Sequence, residues 1–174
     1  MQSAEGTYLN QQSTTLTLTR GTVALDAAGT WRLANGTTMM LTNTANFSSA
    51  APQKGTNLNL TYSGGTVTTK TAGAEASYGD YGSGNITVNL TDAAGALTLP
   101  ASITTTGNFT KTDGAVTLQG NLAAATFTNT VDNFTATGNL TTTGANTHTA
   151  GNVSVANLTI AQTYSVTAGN LTAS

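Results

Sequence analysis

A four-residue motif, Gly-Asn-apolar-small, punctuates the second half of this chain. It occurs at Gly107-Asn108-Phe109-Thr110, Gly120-Asn121-Leu122-Ala123, Gly138-Asn139-Leu140-Thr141, Gly151-Asn152-Val153-Ser154 and Gly169-Asn170-Leu171-Thr172, with an earlier copy at Gly84-Asn85-Ile86-Thr87. Its asparagines Asn108, Asn121, Asn139, Asn152 and Asn170 follow one another at alternating steps of 13 and 18, a period of 31. At that period Phe109 coincides with Leu140, Leu122 with Val153 and Phe127 with Leu158. Short strands at a fixed period, broken by Gly and Asn, are the mark of a β-solenoid. Gly and Asn tolerate left-handed backbone at corners. One or two medium apolar residues per strand fill a narrow interior. Small Thr and Ala faces let coils stack at about 4.8 Å, and stacked Asn and Thr satisfy the corners.

Residues before the repeat also read as β. Thr14–Thr19 alternates strictly between Thr and Leu, as a half-buried strand does. Asn35-Gly36 lies between Trp31–Leu33 and Thr38–Leu41, and Ser63-Gly64-Gly65 between Asn57–Tyr62 and Thr66–Thr69. Both are hairpin signals. Residues 72–84 form the longest expected loop. The expected fold is therefore all-β: a Thr/Gly/Asn-rich β-solenoid, parallel β-helix-like. Residues 1–105 would be a hairpin-rich region and 106–174 the repeat region, within one elongated domain or two. The alternative is a β-sandwich filament subunit that donates its N-terminal strand.

Composition narrows the function. Only 7% of the 174 residues are charged, the formal net charge is −2 and there is no cysteine. The five basic residues, Arg20, Arg32, Lys54, Lys70 and Lys111, are scattered, so no basic stripe for nucleic acid exists. No apolar run approaches the roughly 18 residues of a membrane helix, so no membrane insertion is expected. Disorder is disfavoured: there are two prolines, the 38% apolar residues are spaced, and the commonest residue, Thr, is β-branched.

The run from Gly138 to Ile160, GNLTTTGANTHTAGNVSVANLTI, resembles repeats of filamentous-haemagglutinin-like and autotransporter exoproteins. It is also similar to the shaft repeats of phage tail fibres. The resemblance implies a fibrous β-solenoid that binds host surfaces, glycans or copies of itself. Met1-Gln2-Ser3-Ala4-Glu5 has neither the basic start nor the apolar core of a signal peptide.

Resources for chemistry are few. His148 is the single histidine and has no sequence-adjacent acid to complete a triad. No calcium or phosphate loop is present. The expectation is a non-enzymatic chain with no cofactor and no metal. The candidate binding loop is Tyr78-Gly79-Asp80-Tyr81, where two rings and a carboxylate could meet a sugar. Trp31 is expected in the core. Eleven Asn-x-Ser/Thr sequons arise largely from the Gly-Asn motif itself. An ice-binding array would need Thr-x-Thr at one fixed position per coil, and the linear spacing does not display that register.

The functional expectation is an extracellular or cell-surface structural and adhesive protein that self-assembles into a fibre. Its partner would be itself, with host-surface glycans as a further partner. The assembly candidates are Thr15, Leu16, Thr17 and Leu18 as a donor strand, and Asn170 and Leu171 in the last repeat. The alternative is a receptor- or glycan-binding module of a phage tail fibre, located on the virion, or of an adhesin.

Overall fold

The computed structural model describes residues 8–11, 15–18, 22–23, 30–33, 37–42, 45–47, 56–64, 69–91 and 94–174. For the four strands before residue 37, and at Asn46 and Thr69, only the backbone is described.

The chain is a β-solenoid in which every pairing among the described strands is parallel. Its three main faces are sheets of eight, six and four strands. The eight-stranded face takes Thr15–Leu18, Thr38–Thr42, Asn59–Gly64, Ile86–Leu90, Asn108–Asp113, Thr126–Asn129, Asn146–His148 and Tyr164–Val166. The six-stranded face takes Thr69–Thr71, Ala96–Leu99, Ala115–Leu118, Phe134–Ala136, Asn152–Val155 and Asn170–Ala173. The four-stranded face takes Ile103–Thr104, Leu122–Ala124, Leu140–Thr142 and Leu158–Ile160. Two further pairs lie near the start, Tyr8–Gln11 with Thr30–Leu33 and Thr22–Val23 with Asn46–Phe47. The ladder crosses residue 105 without a break, because Ile86 pairs with Phe109.

Strand register corrects the period read from the sequence. One coil leads from Phe109 to Phe127, the next from Asn129 to His148, and the one after from His148 to Val166. These steps are 18, 19 and 18 along the chain, the same separations that divide hydrogen-bonded partners on neighbouring coils. Earlier coils are longer, with steps of 21, 26 and 23 along Met39, Leu60, Ile86 and Phe109. The period seen in the sequence is therefore one coil plus two corners. Asn108, Asn139 and Asn170 match in sequence yet stand at three different faces.

Each corner carries its own asparagine ladder. On one, the Asn85 amide donates to Asn59 Oδ1 at 2.8 Å and the Asn108 amide to Asn85 Oδ1 at 3.0 Å. On the second, the Asn139 amide donates to Asn121 Oδ1 at 2.8 Å and Asn157 Nδ2 to Asn139 Oδ1 at 2.9 Å. On the third, the Asn152 amide reaches Asn133 Oδ1 at 3.0 Å and the Asn170 amide Asn152 Oδ1 at 3.2 Å. Left-handed backbone is not what asparagine supplies: the one described non-glycine at positive φ is Asp132. Close stacking explains the preceding glycine. A Cβ on Gly138 would strike Asn121 Oδ1 of the coil below.

Both expected hairpins are overturned. Thr30–Leu33 pairs in parallel with Tyr8–Gln11, and Thr38–Thr42 with Thr15–Leu18 and Asn59–Gly64. Asn35-Gly36, Gly65 and Thr66–Thr68 lie outside the described residues. Solenoid coiling wins because strands buried on one narrow interior pair with the coil above, whereas a hairpin would fold each strand back on its own neighbour. The sandwich alternative falls with the hairpins; Thr15, Leu16, Thr17 and Leu18 form the edge strand of the eight-stranded face, paired on one side with Thr38–Leu41 of the same chain. Trp31 pairs through its backbone with Leu9, and its side chain lies outside the described residues.

Alternate residues point inward and form columns along the axis. On the eight-stranded face one column runs Met39, Leu60, Ile86, Phe109, Phe127, Asn146, Tyr164. The six-stranded face adds Leu97, Val116, Phe134, Val153 and Leu171, and the four-stranded face Ile103, Leu122, Leu140 and Leu158. The phenylalanines meet at the centre. Phe127 stacks on Phe109 at 6.0 Å and meets Phe134 edge-on at 4.8 Å.

Outward positions are also in register, contrary to the linear reading. Thr61, Thr87, Thr110, Thr128, Thr147 and Ser165 form one row on the eight-stranded face. Thr112, Thr130, Thr149 and Thr167 continue as a second row beside it, and the ladder hydrogen bonds carry on there, from Thr130 N to Lys111 O at 2.9 Å and from Thr149 N to Asn129 O at 2.8 Å. Unequal coil lengths hide this register, because no single integer period displays it.

Candidate functional site

The interior of the eight-stranded face holds a second column beside the apolar one. It runs Leu41, Tyr62, Val88, then Lys111, Asn129 and His148, then Val166. Lys111, Asn129 and His148 are all buried. Three polar residues on three successive coils thus replace apolar filling. In the sequence Lys111 is one of five scattered cations, yet it follows Phe109 by two positions and so shares its inward face. The same spacing sets Asn129 after Phe127 and His148 after Asn146.

This column is partly satisfied. Lys111 Nζ donates to Val131 O. Asn129 Nδ2 donates to Ala150 O at 2.8 Å and Asp132 O at 3.2 Å. His148 Nε2 lies 3.0 Å from Gly151 O and donates to it. Asn129 Oδ1 and His148 Nδ1 have no partner. An unmatched buried polar atom costs about 1–3 kcal/mol. Burial pushes the Lys111 amine down to about 8, while Asp132 and Asp113 at the adjoining corner pull it upward. Both acids turn toward Gly114, whose amide donates to Asp113 Oδ1 at 2.8 Å and Asp132 Oδ2 at 3.1 Å.

A second polar group sits toward the N-terminal end. Glu75, on a short 3-10 helix at Ala74–Tyr78, is fully buried. Its carboxylate accepts from the Phe47 amide at 2.9 Å, the Gly73 amide at 2.9 Å and the Tyr62 hydroxyl at 3.3 Å. Lys70 is buried with its Nζ 4.9 Å from the centre of the Tyr62 ring and no hydrogen-bond partner. Burial lowers the Lys70 amine to about 8, with Glu75 opposing. Burial, then the Glu75 charge, raises Tyr62 well above the usual phenol range. The Glu75 charge in this group serves backbone satisfaction, at the Phe47 and Gly73 amides.

The expected sugar-binding loop is corrected. Tyr81 is fully buried, and its hydroxyl donates to Glu75 O at 2.8 Å. Tyr78 is half-buried and meets Tyr81 edge-on at 5.8 Å. Asp80 is exposed, but Oδ1 accepts from Gly82 N at 2.8 Å, a turn contact. The segment is a structural part of its coil: Asp80 bridges to Thr104 in parallel, where the four-stranded face begins. Both rings point inward because the third side of this coil needs apolar filling.

In the last coil, Asn170 keeps its corner ladder and Leu171 stacks half-buried on Val153. Leu158, Ile160 and Tyr164 are half-buried, and Val166 is 44% exposed. These residues occupy inward columns that are fully buried in the coils beneath.

Among the described residues no group of three or more His, Cys, Asp or Glu could hold a metal ion. No helix there is long and apolar enough to cross a membrane. No protein-family model, curated protein or solved structure matches the chain.

Proposed function

We propose that the chain is a non-enzymatic structural and adhesive rod of a cell surface or virion, one that assembles end to end with copies of itself. The observation that carries this reading is the stack itself: on three faces parallel strands pair coil to coil in register, with an asparagine ladder at each corner. Such ladders grow by adding coils, and a coil from another copy would pair by the same parallel ladders and extend the inward column that holds Val153 and Leu171. The resemblance to exoprotein and tail-fibre repeats supports the same reading. Electron microscopy and light scattering across a concentration series test it. Filaments are expected, and Leu171→Lys should abolish them. A wild-type chain that stays monomeric at every concentration refutes it.

The paired threonine rows favour a second reading, a face that binds an ordered water lattice. Thr110/Thr112, Thr128/Thr130 and Thr147/Thr149 repeat Thr-x-Thr on three coils, with Ser165/Thr167 on the next. The second row begins at a register shift, where Asp113 rather than Thr112 pairs with Asn89 of the coil below. An ice-recrystallisation assay tests the idea: inhibition that is lost in Thr128→Lys supports it, and no inhibition by the wild type refutes it. The receptor- or glycan-binding alternative gains nothing from the tyrosine loop, since Tyr81 offers no exposed ring.

A further inference from the structure

Lys111 and Asn129 are register partners on adjacent coils, and both side chains are fully buried. Neighbouring strands lie about 4.8 Å apart, well within the reach of a lysine side chain. Both groups lead to one corner. Lys111 Nζ donates to Val131 O, and Asn129 Nδ2 donates to Asp132 O at 3.2 Å. Asn129 Oδ1 is buried without a donor. Asp132 holds this corner at φ 61, the only described non-glycine residue at positive φ. Its carboxylate, with that of Asp113, is held at the Gly114 amide, and the charge of both acids reaches the Lys111 amine.

We propose that Lys111 and Asn129 join in an intramolecular isopeptide bond, a covalent staple between two successive coils, with Asp132 carrying the proton. The Nζ lone pair attacks Asn129 Cγ. The new Nζ–Cγ bond forms and the Cγ–Nδ2 bond breaks. The Asp132 carboxylate takes one proton from Nζ and passes it to Nδ2, which leaves as ammonia, so the carboxylate is regenerated. One amide replaces another, and no oxidant or metal is needed. Burial favours the neutral, nucleophilic form of the amine. Donation of one hydrogen to Val131 O leaves that lone pair free. In a chain without cysteine, such a staple would bind coil to coil whatever the redox state of its surroundings.

Intact-mass spectrometry of the full chain tests this directly. The expected mass is about 17 Da below that of the sequence, with a Lys111–Asn129 cross-linked peptide after proteolysis. Lys111→Arg and Asn129→Ala should restore the full mass. The Asp113→Asn/Asp132→Asn double variant should do the same, since Asn tolerates the left-handed backbone at 132. Asn129→Asp preserves shape and should change the loss to about 18 Da, as water leaves in place of ammonia. Circular dichroism confirms that each variant is folded. A folded wild-type chain of full mass, or a 17 Da loss that persists in Lys111→Arg, overturns the proposal.

Discussion

Phe127→Ala is expected to lower stability by about 3–5 kcal/mol, the range for truncating a buried phenylalanine. Phe127 is fully buried at the middle of the interior. It touches rings on both axial sides and across the coil: Phe109 at 6.0 Å, Phe134 at 4.8 Å and Tyr164 at 6.5 Å. Aromatic pairs add about 0.5–1.5 kcal/mol beyond buried area. The hole left behind has little chance to close, because parallel ladders on three faces fix the distance between coils. Damage should also be directional, since each coil of a solenoid rests only on its neighbours. Amides of coils 126–174 should lose hydrogen-exchange protection more than those of 37–90. Thr128→Ala, one residue along and pointing outward, serves as the control. A urea midpoint for Phe127→Ala no lower than that of Thr128→Ala would show that the ring cluster does not hold the coils together.

Much of the fold is legible in the sequence once corners are separated from coils. The Gly-Asn motif marks corners correctly, and the alternation within each strand tells inward from outward. Phe109/Lys111, Phe127/Asn129 and Asn146/His148 are all i, i+2 pairs, so their shared inward face follows from strand geometry alone. What defeats a linear reading is that the coil step changes between Phe109–Phe127 and Asn129–His148 while three faces carry the same motif. Matches such as Phe109 with Leu140 then look like a repeat, although the two residues lie on different faces. Partner choice was illegible for a related reason. Asn35-Gly36 and Ser63-Gly64-Gly65 carry hairpin chemistry, but burial of Met39, Leu60 and Ile86 in one column requires parallel pairing with the next coil. Local turn preference is worth less than a continuous core. Tyr81 misled for want of a period: its coil is longer than those after 108, so nothing in the spacing showed that it fills the third side.

Glu75→Ala should be the second most damaging change, although the residue is a charged side chain in a chain that has few. Its carboxylate is the acceptor for the buried Phe47 amide, the partly buried Gly73 amide and the Tyr62 hydroxyl. Alanine takes the acceptor from the buried Phe47 amide and Tyr62 hydroxyl, at about 1–3 kcal/mol each, so a total loss of about 2–6 kcal/mol is expected. Collapse onto the vacancy is blocked at Gly73, where even a Cβ would strike Phe47 O. Glu75→Gln separates charge from geometry. It keeps the volume but presents one oxygen and one NH2 group, so it can serve only part of this donor set. Its loss should fall between wild type and alanine. Removing the charge also takes away the Glu75 contribution that raises the Lys70 amine, whose value should drop from about 8. Urea unfolding and the near-ultraviolet dichroism of the tyrosines read both effects. If Glu75→Ala costs no more than an ordinary surface substitution, about 0.5 kcal/mol, the 3-10 segment is not held by its carboxylate. The burden would then pass to groups such as Tyr81, whose hydroxyl on Glu75 O at 2.8 Å is another tie between this segment and the interior.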